Sequence, residues 1–140
     1  MAQLLTPTLT LESASGSTGS SEDSALSLSV TDELTIVAPL SGPAQIIATA
    51  TPAEATIVPA STSIVYLFVK HTGTTDGSTG TTRQVDVEFT TDEAIARLSS
   101  EEWLFMPVHH AEANVGVQLH VQHSSSSDVV QLEYAYWAKG

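Results

Sequence analysis

The sequence predicts an all-β fold, an antiparallel β-sandwich or jelly-roll-like arrangement with at most one short helical turn. Three observations carry this expectation. Apolar and polar residues alternate with period two along several segments, as they do in strands with one face on a core. The segments between breakers are β-branched or otherwise apolar. Clusters of Gly, Pro, Ser and acidic residues divide the chain into roughly eight to ten short strands, the rhythm of a sandwich or jelly roll.

The elements follow in chain order. Residues 1–7 hold no basic residue ahead of an apolar core, so they do not read as a secretory signal. Residues 9–12 suit a first short strand, and the Ser-, Gly- and acid-rich stretch 13–23 a connection. Leu26, Leu28 and Val30 then alternate with Ser27, Ser29 and Thr31. Residues 34–38 and 45–49 read as two strands parted by Pro39, Gly42 and Pro43, with a further strand at 56–58. Ile64-Val65-Tyr66-Leu67-Phe68-Val69 is the longest apolar run and is apolar on both faces, so it should be the most central strand. At six residues it is far short of the roughly 20 that cross a bilayer. Residues 72–82 hold three glycines and six threonines and read as the longest loop.

Val85, Val87 and Phe89 alternate with Asp86, Glu88 and Thr90. Residues 91–98 suit either one or two helical turns capped by Thr91 or a strand over 94–98; the strand is preferred, with a short turn at 99–102. Residues 103–108 form another strand. Val115, Val117, Leu119 and Val121 alternate with Gly116, Gln118, His120 and Gln122. The polar stretch 124–128 suggests a hairpin into the last strand, 129–137. There Val130, Leu132, Tyr134 and Tyr136 share one face, while Gln131 and Glu133 mark the other until Trp137 closes it. All eight aromatic residues lie from Tyr66 onward. Residues 60–137 should therefore hold the packing centre, built on Tyr66, Phe68, Phe89, Trp103, Phe105, Tyr134, Tyr136 and Trp137. The chain reads as one domain over 1–140, with 1–24 as an N-terminal arm or edge segment.

Composition narrows the function. With 140 residues, 16 acidic and 4 basic side chains, the net charge is −12. Four scattered cations cannot supply the clustered Lys and Arg that phosphate contact requires, so no nucleic-acid partner is expected. An anionic membrane surface would repel the chain for the same reason. There is no cysteine, which removes disulfides, thiolate metal sites and cysteine nucleophiles. Eighteen Ser and 18 Thr make 36 of the 140 residues small hydroxyl carriers.

Few residues suggest chemistry. His109 and His110 are adjacent, Glu112 is near, and His120 and His123 lie three apart. Neighbours on a strand point to opposite faces, so a shared metal site would need His109 or His110 to meet His120 across a hairpin. The plainer reading is surface or rim histidines. Clustered at a subunit contact, they would form a pH-dependent element. Asp76-Gly77-Ser78-Thr79-Gly80 has one acid where a calcium loop needs several, so it reads as a turn. Glu101 and Glu102, beside Trp103, diverge on an extended chain and do not make a glycosidase pair. Neither a Gly-x-Ser-x-Gly elbow nor a phosphate loop occurs, and the chain is not expected to be an enzyme or to need a cofactor.

Three segments carry a resemblance. They are residues 63–72 around Tyr66-Leu67-Phe68-Val69-Lys70, residues 98–108 ending in Phe105-Met106-Pro107-Val108, and residues 132–137 ending in Tyr136-Trp137. Together they resemble small virion structural proteins of tailed bacteriophages. In those proteins a Tyr-Leu-x-Val-Lys strand leads into a Thr-rich loop, a turn precedes an aromatic strand, and a Tyr-Trp strand closes the chain. This sequence departs at the turn, where Ser100 and Glu101 stand in place of a proline-glycine or similar pair. The resemblance implies a capsid-decorating or tail-associated role. A decoration (cement) protein on the outer capsid surface is the leading expectation, bound to the major capsid protein and self-associated, with a trimer favoured. For capsid contact the segment 2–12 stands out, with Leu4, Leu5, Thr6, Thr8 and Leu9, as an arm able to add a strand to a neighbour's sheet. A tail or fibre component is the alternative. A carbohydrate-binding module would require exposed aromatics on a flat face, with Trp103 or Trp137 turned to solvent.

Overall fold

The computed structural model describes residues 2–12, 27–49, 55–60, 64–109, 115–122 and 128–140. Every element among them is a strand. The predicted connection 13–23, together with His110, Glu112, His123 and most of the stretch 124–128, lies outside the described residues. The chain divides into two compact units, Met1–Val37 with Gly140, and Ala38–Lys139.

The smaller unit holds β1 (Gln3–Leu5), β2 (Thr8–Glu12), β3 (Ser27–Thr31) and the start of β4 (Leu34–Thr49). β1 runs antiparallel to β4, with Gln3 opposite Ile36 and Leu5 opposite Leu34. β2 and β3 form a two-stranded antiparallel ribbon. The Asp32 N–H donates to the Pro7 carbonyl at 3.3 Å, and the Gly140 N–H donates to that of Thr35 at 2.9 Å. Segment 2–12 is therefore not a free arm, since both its strands already have partners in the same chain.

The larger unit is a β-sandwich. It continues β4 and adds β5 (Ala55–Val58), β6 (Val65–His71), β7 (Gln84–Phe89), β8 (Ala94–Leu98), β9 (Trp103–Val108), β10 (Val117–Gln122) and β11 (Val129–Lys139). One sheet runs β4-β11-β6-β9 and the other β5-β10-β7-β8. Period-two alternation sends one residue set from each sheet into a common core. Leu67 and Val69 from β6, Leu132 from β11, Val85 and Val87 from β7, and Leu119 and Val121 from β10 are all fully buried there. Each such side chain contributes about 1.5–3 kcal/mol by leaving water. β6, predicted as most central, pairs on both sides, with β11 and with β9.

The strand order has a regularity. The first strand of the sandwich pairs with the last, β4 with β11. The second pairs with the next to last, β5 with β10, and then β6 pairs with β9 and β7 with β8. Within the sandwich, β7 and β8 are consecutive strands that pair directly, as a hairpin. Asp92, at φ 65°, turns it, with the Asp92 N–H donating to the Phe89 carbonyl at 2.9 Å. This settles residues 94–98 as strand. The hairpin expected between the last two strands is corrected: β10 and β11 lie in different sheets, each facing the core from its own side. The break expected at Pro39–Pro43 is corrected as well. β4 runs through it as one strand, and β1 pairs with it only over Leu34–Ile36, so the prolines fall beyond that ladder, where a missing N–H breaks no bond to β1.

Candidate functional site

Three surfaces gather the residues that could act. The first is the ribbon of the smaller unit. Leu9 stands opposite Val30 and Leu11 opposite Leu28, while Thr8 faces Thr31 and Thr10 faces Ser29. Direct cross-strand partners share a face, so one face is Leu and Val and the other is hydroxyl. Thr8 and Thr31 join through their hydroxyls at 3.2 Å. The apolar face is open, with Leu11 42%, Leu28 43% and Val30 48% exposed, and Leu4 of β1 65% exposed. Leu5 and Leu9 are half-buried, and Thr6 and Thr8 exposed.

The second surface is the outer face of β5-β10-β7-β8. Alternation turns Asp86 and Glu88 away from the core, yet both are buried. Arg97 of β8 donates to both Asp86 oxygens, from Nε at 2.7 Å and Nη2 at 3.0 Å, and Gln122 Nε2 also donates to Oδ2. The Arg97–Asp86 hydrogen bonding, and then the Asp86 charge, raise the Arg97 pKa. Glu88 Oε1 accepts from Gln118 Nε2 at 3.2 Å and lies 3.5 Å from His120 Nδ1. Both carboxylates are engaged by neighbouring side chains, which suits a scaffold rather than acid–base work. His120 thus faces a carboxylate, while His109 is exposed. Among the described residues no group of three His, Asp or Glu could hold a metal ion.

The third surface is the outer face of β11, β6 and β9. Register places nine side chains there in three rows. The rows are Glu133, Lys70 and Trp103; Ala135, Phe68 and Phe105; and Trp137, Tyr66 and Pro107. Tyr66 and Phe105 stack with ring centroids 6.2 Å apart and planes 10° apart. Of the aromatics expected in the packing centre, Phe89, Tyr134 and Tyr136 lie against the core. Tyr66, Phe68, Phe105 and Trp137 instead belong to this outer face, with Tyr66 buried and the other three half-buried. Trp103 requires a correction. It is 51% exposed, because odd positions of β9 point outward while Leu104, Met106 and Val108 take the inward ones.

In the turns at Asp76 and at Glu101–Glu102, one carboxylate each, of Asp76 and of Glu102, binds the turn's own backbone. Asp76 Oδ1 accepts the Ser78 and Thr79 N–H groups at 2.9 and 2.7 Å, and Oδ2 the Thr79 hydroxyl at 3.1 Å. These bonds, led by the Thr79 N–H, hold its carboxyl below the usual 3.8. Its oxygens close a turn. Glu102 Oε2 accepts the Ser99 N–H at 2.7 Å, and Glu101 adopts φ 68°, so this pair shapes a turn as well. Sequence reasoning misses Lys70, Glu133 and the Asp86–Arg97 network as functional candidates. Their signal is the polar half of the same alternation that locates the strands.

Comparison with protein-family models, curated proteins and solved structures finds no match for this chain.

Proposed function

We propose that this is a capsid decoration (cement) protein of a tailed bacteriophage, seated on the outer shell of the virion and bridging subunits of the major capsid protein. The observation that carries the reading is the one-sided ribbon β2–β3. A two-stranded ribbon is marginal in water by itself. Here one face is Leu and Val, with Leu11, Leu28 and Val30 left open to solvent and Leu9 half-buried. The pairs from Thr8/Thr31 to Leu11/Leu28 contain no charged residue, so nothing in them opposes an apolar partner. Attachment through this face would add buried area across subunit junctions and oppose pressure from within. The face of the ribbon thereby takes the role that the sequence suggested for a free strand edge.

The winding of the sandwich supports the same reading. Pairing the first strand with the last, and so inward, is the order of an eight-stranded jelly roll, an architecture common in capsid and lectin domains. That support is analogy at the level of fold. A trimer would suit local threefold axes, and the −12 charge would keep decorated particles apart.

Electron microscopy of particles with and without the protein tests the location. Added density over the shell is expected; density on the tail alone would replace this reading with the tail or fibre alternative. Because β2 is paired in the chain, point changes test attachment better than a deletion of 2–12. Leu11→Asp with Val30→Asp should abolish shell binding while the thermal transition of the sandwich stays put. Undiminished binding would remove the ribbon from the mechanism.

A further inference from the structure

We infer that the outer face of β11–β6–β9 carries a binding site for a neutral carbohydrate, with Trp103 as the stacking platform and Lys70 and Glu133 as hydrogen-bonding partners. The site does not depend on the shell reading, since it lies wholly within the larger unit.

Placement comes first. Trp103, Lys70 and Glu133 are successive cross-strand partners on β9, β6 and β11. Strands about 4.8 Å apart set their backbones along a row of about 10 Å. Among the described residues, neither the Lys70 nor the Glu133 side chain is held by a hydrogen bond or ion pair. Beyond Glu133 the row opens into a depression of about 320 Å³ lined by Pro43, Ala44, Gln45 and Glu133. An exposed indole therefore stands at one end of a shallow path, with an ammonium, a carboxylate and a carboxamide along it.

Chemistry favours a sugar. The negative face of an indole attracts the C–H-rich face of a pyranose ring, whose hydroxyls then need donors and acceptors at the rim. Lys70 donates and Glu133 accepts, while Gln45, whose Oε1 already accepts from Gln131 Nε2 at 3.0 Å, can donate through its own Nε2. The opposite formal charges of Lys70 and Glu133 cancel, so the row is neutral on a chain of charge −12. The surrounding field would repel an anionic glycan and leave a neutral one indifferent.

Size argues against a second copy of the chain as the occupant. The open part of Trp103 amounts to on the order of 100 Å², against the roughly 800 Å² per partner of a stable protein interface. Ile47 is the other exposed large apolar residue of this unit among the described residues, and it stands on β4, three strands away from β9 in the sheet. The two do not merge into one docking patch.

The test uses the full chain with maltohexaose, cellohexaose and chitohexaose as neutral probes, read by titration calorimetry and by the indole N–H signals of Trp103 and Trp137. At least one probe should bind with Kd of about 1 mM or tighter, moving the Trp103 signal. Trp103→Ala should weaken binding at least tenfold, Trp103→Tyr should retain most of it, and Lys70→Ala and Glu133→Ala should each cost severalfold. Melting curves confirm that each variant is folded. Failure of all three probes to bind overturns the proposal, as does unchanged binding by Trp103→Ala. Self-association that Trp103→Ala abolishes, in a protein that binds none of the probes, would assign the face to a second copy instead.

Discussion

His71→Leu should be among the most damaging single changes in the sandwich, although it replaces a polar core residue by an apolar one of similar volume. His71 ends β6 on its core face and is fully buried. Its Nδ1 accepts the Gly73 N–H at 3.0 Å, so that nitrogen bears no proton. Its Nε2–H therefore donates to the Arg83 carbonyl, at 2.8 Å. Gly73 and Arg83 stand at the two ends of the threonine-rich loop, and one imidazole clamps both. Leucine fills the space and strands two backbone groups. Each part-buried group left without a partner costs about 1–3 kcal/mol, which gives a loss of about 4 kcal/mol. Urea unfolding measures it directly, and at about 3 °C per kcal/mol for a chain of this size the melting point should fall by about 12 °C. Two half-replacements sharpen the test. Asn offers an acceptor near the Nδ1 position, and Gln a donor near Nε2. Each should recover part of the loss, and His71→Asn should restore slow hydrogen exchange at Gly73. A His71→Leu protein within 1 kcal/mol of the parent would refute the clamp.

Three further outcomes follow from local geometry. A Cβ at Gly116 would sit 2.3 Å from the Val58 carbonyl oxygen, so Gly116→Ala must push β5 from β10 and should cost about 1–3 kcal/mol in urea unfolding; a neutral result would mean the bulge at Val117 absorbs the methyl freely. Glu101 holds φ 68°, a conformation that costs a side-chain-bearing residue about 1 kcal/mol, so Glu101→Gly should raise the melting point slightly, and a fall would show that the Glu side chain matters more than the strain. Asp76 is held below its ordinary pKa by bonds to the ionised form, so its support for the turn is complete above about pH 4 and is lost as pH falls through the lowered value. Amide exchange at Ser78 and Thr79 should quicken at pH 2 relative to the intrinsic rate, and Asp76→Ala should mimic that state at pH 7; equal protection in all three conditions would contradict it.

The strands are legible in the sequence because alternation is a local property. Val85, Val87 and Val117–Val121 announce one buried face, and the sandwich buries it. Partnership between strands is not local. Nothing near residues 124–128 tells whether the next strand returns beside β10 or crosses to the other sheet, because both routes put the same residues in the core. The break expected at the prolines fails for a related reason: a proline stops a strand only where a neighbour needs its N–H, and β1 pairs with β4 no further than Ile36, an extent that is a property of the finished sheet. For the aromatics, residue type alone points to the core, while parity decides otherwise. Trp103, Phe105 and Pro107 occupy one parity of β9 and Leu104, Met106 and Val108 the other. With both sets apolar, the smaller aliphatics go to the core and the rings to the outside. An outward ring face is what makes a candidate binding surface, so the feature hardest to read from the sequence is also the one nearest to function.

Charge separates the possible occupants of that surface. Two of the four basic side chains are bound to carboxylates within the sandwich, Arg97 to Asp86 at 2.7 Å and Arg83 to Asp128 at 3.3 Å. Lys139 ends β11, which leaves Lys70 as the one cation among the nine outward residues, across from Glu133. The row beside Trp103 is thus neutral while the chain as a whole is strongly negative. A neutral sugar gains nothing from the long-range field and loses nothing to it, so its affinity should hold constant between about 0.05 and 0.5 M salt. Two copies of a −12 chain repel, and their association should tighten over the same range as salt screens them. An anionic glycan would follow the second pattern. Titrating a bound hexasaccharide at both salt concentrations distinguishes these mechanisms, and a salt-strengthened interaction would mean that the charge of the whole molecule, and not the Trp103 row, governs what this face accepts.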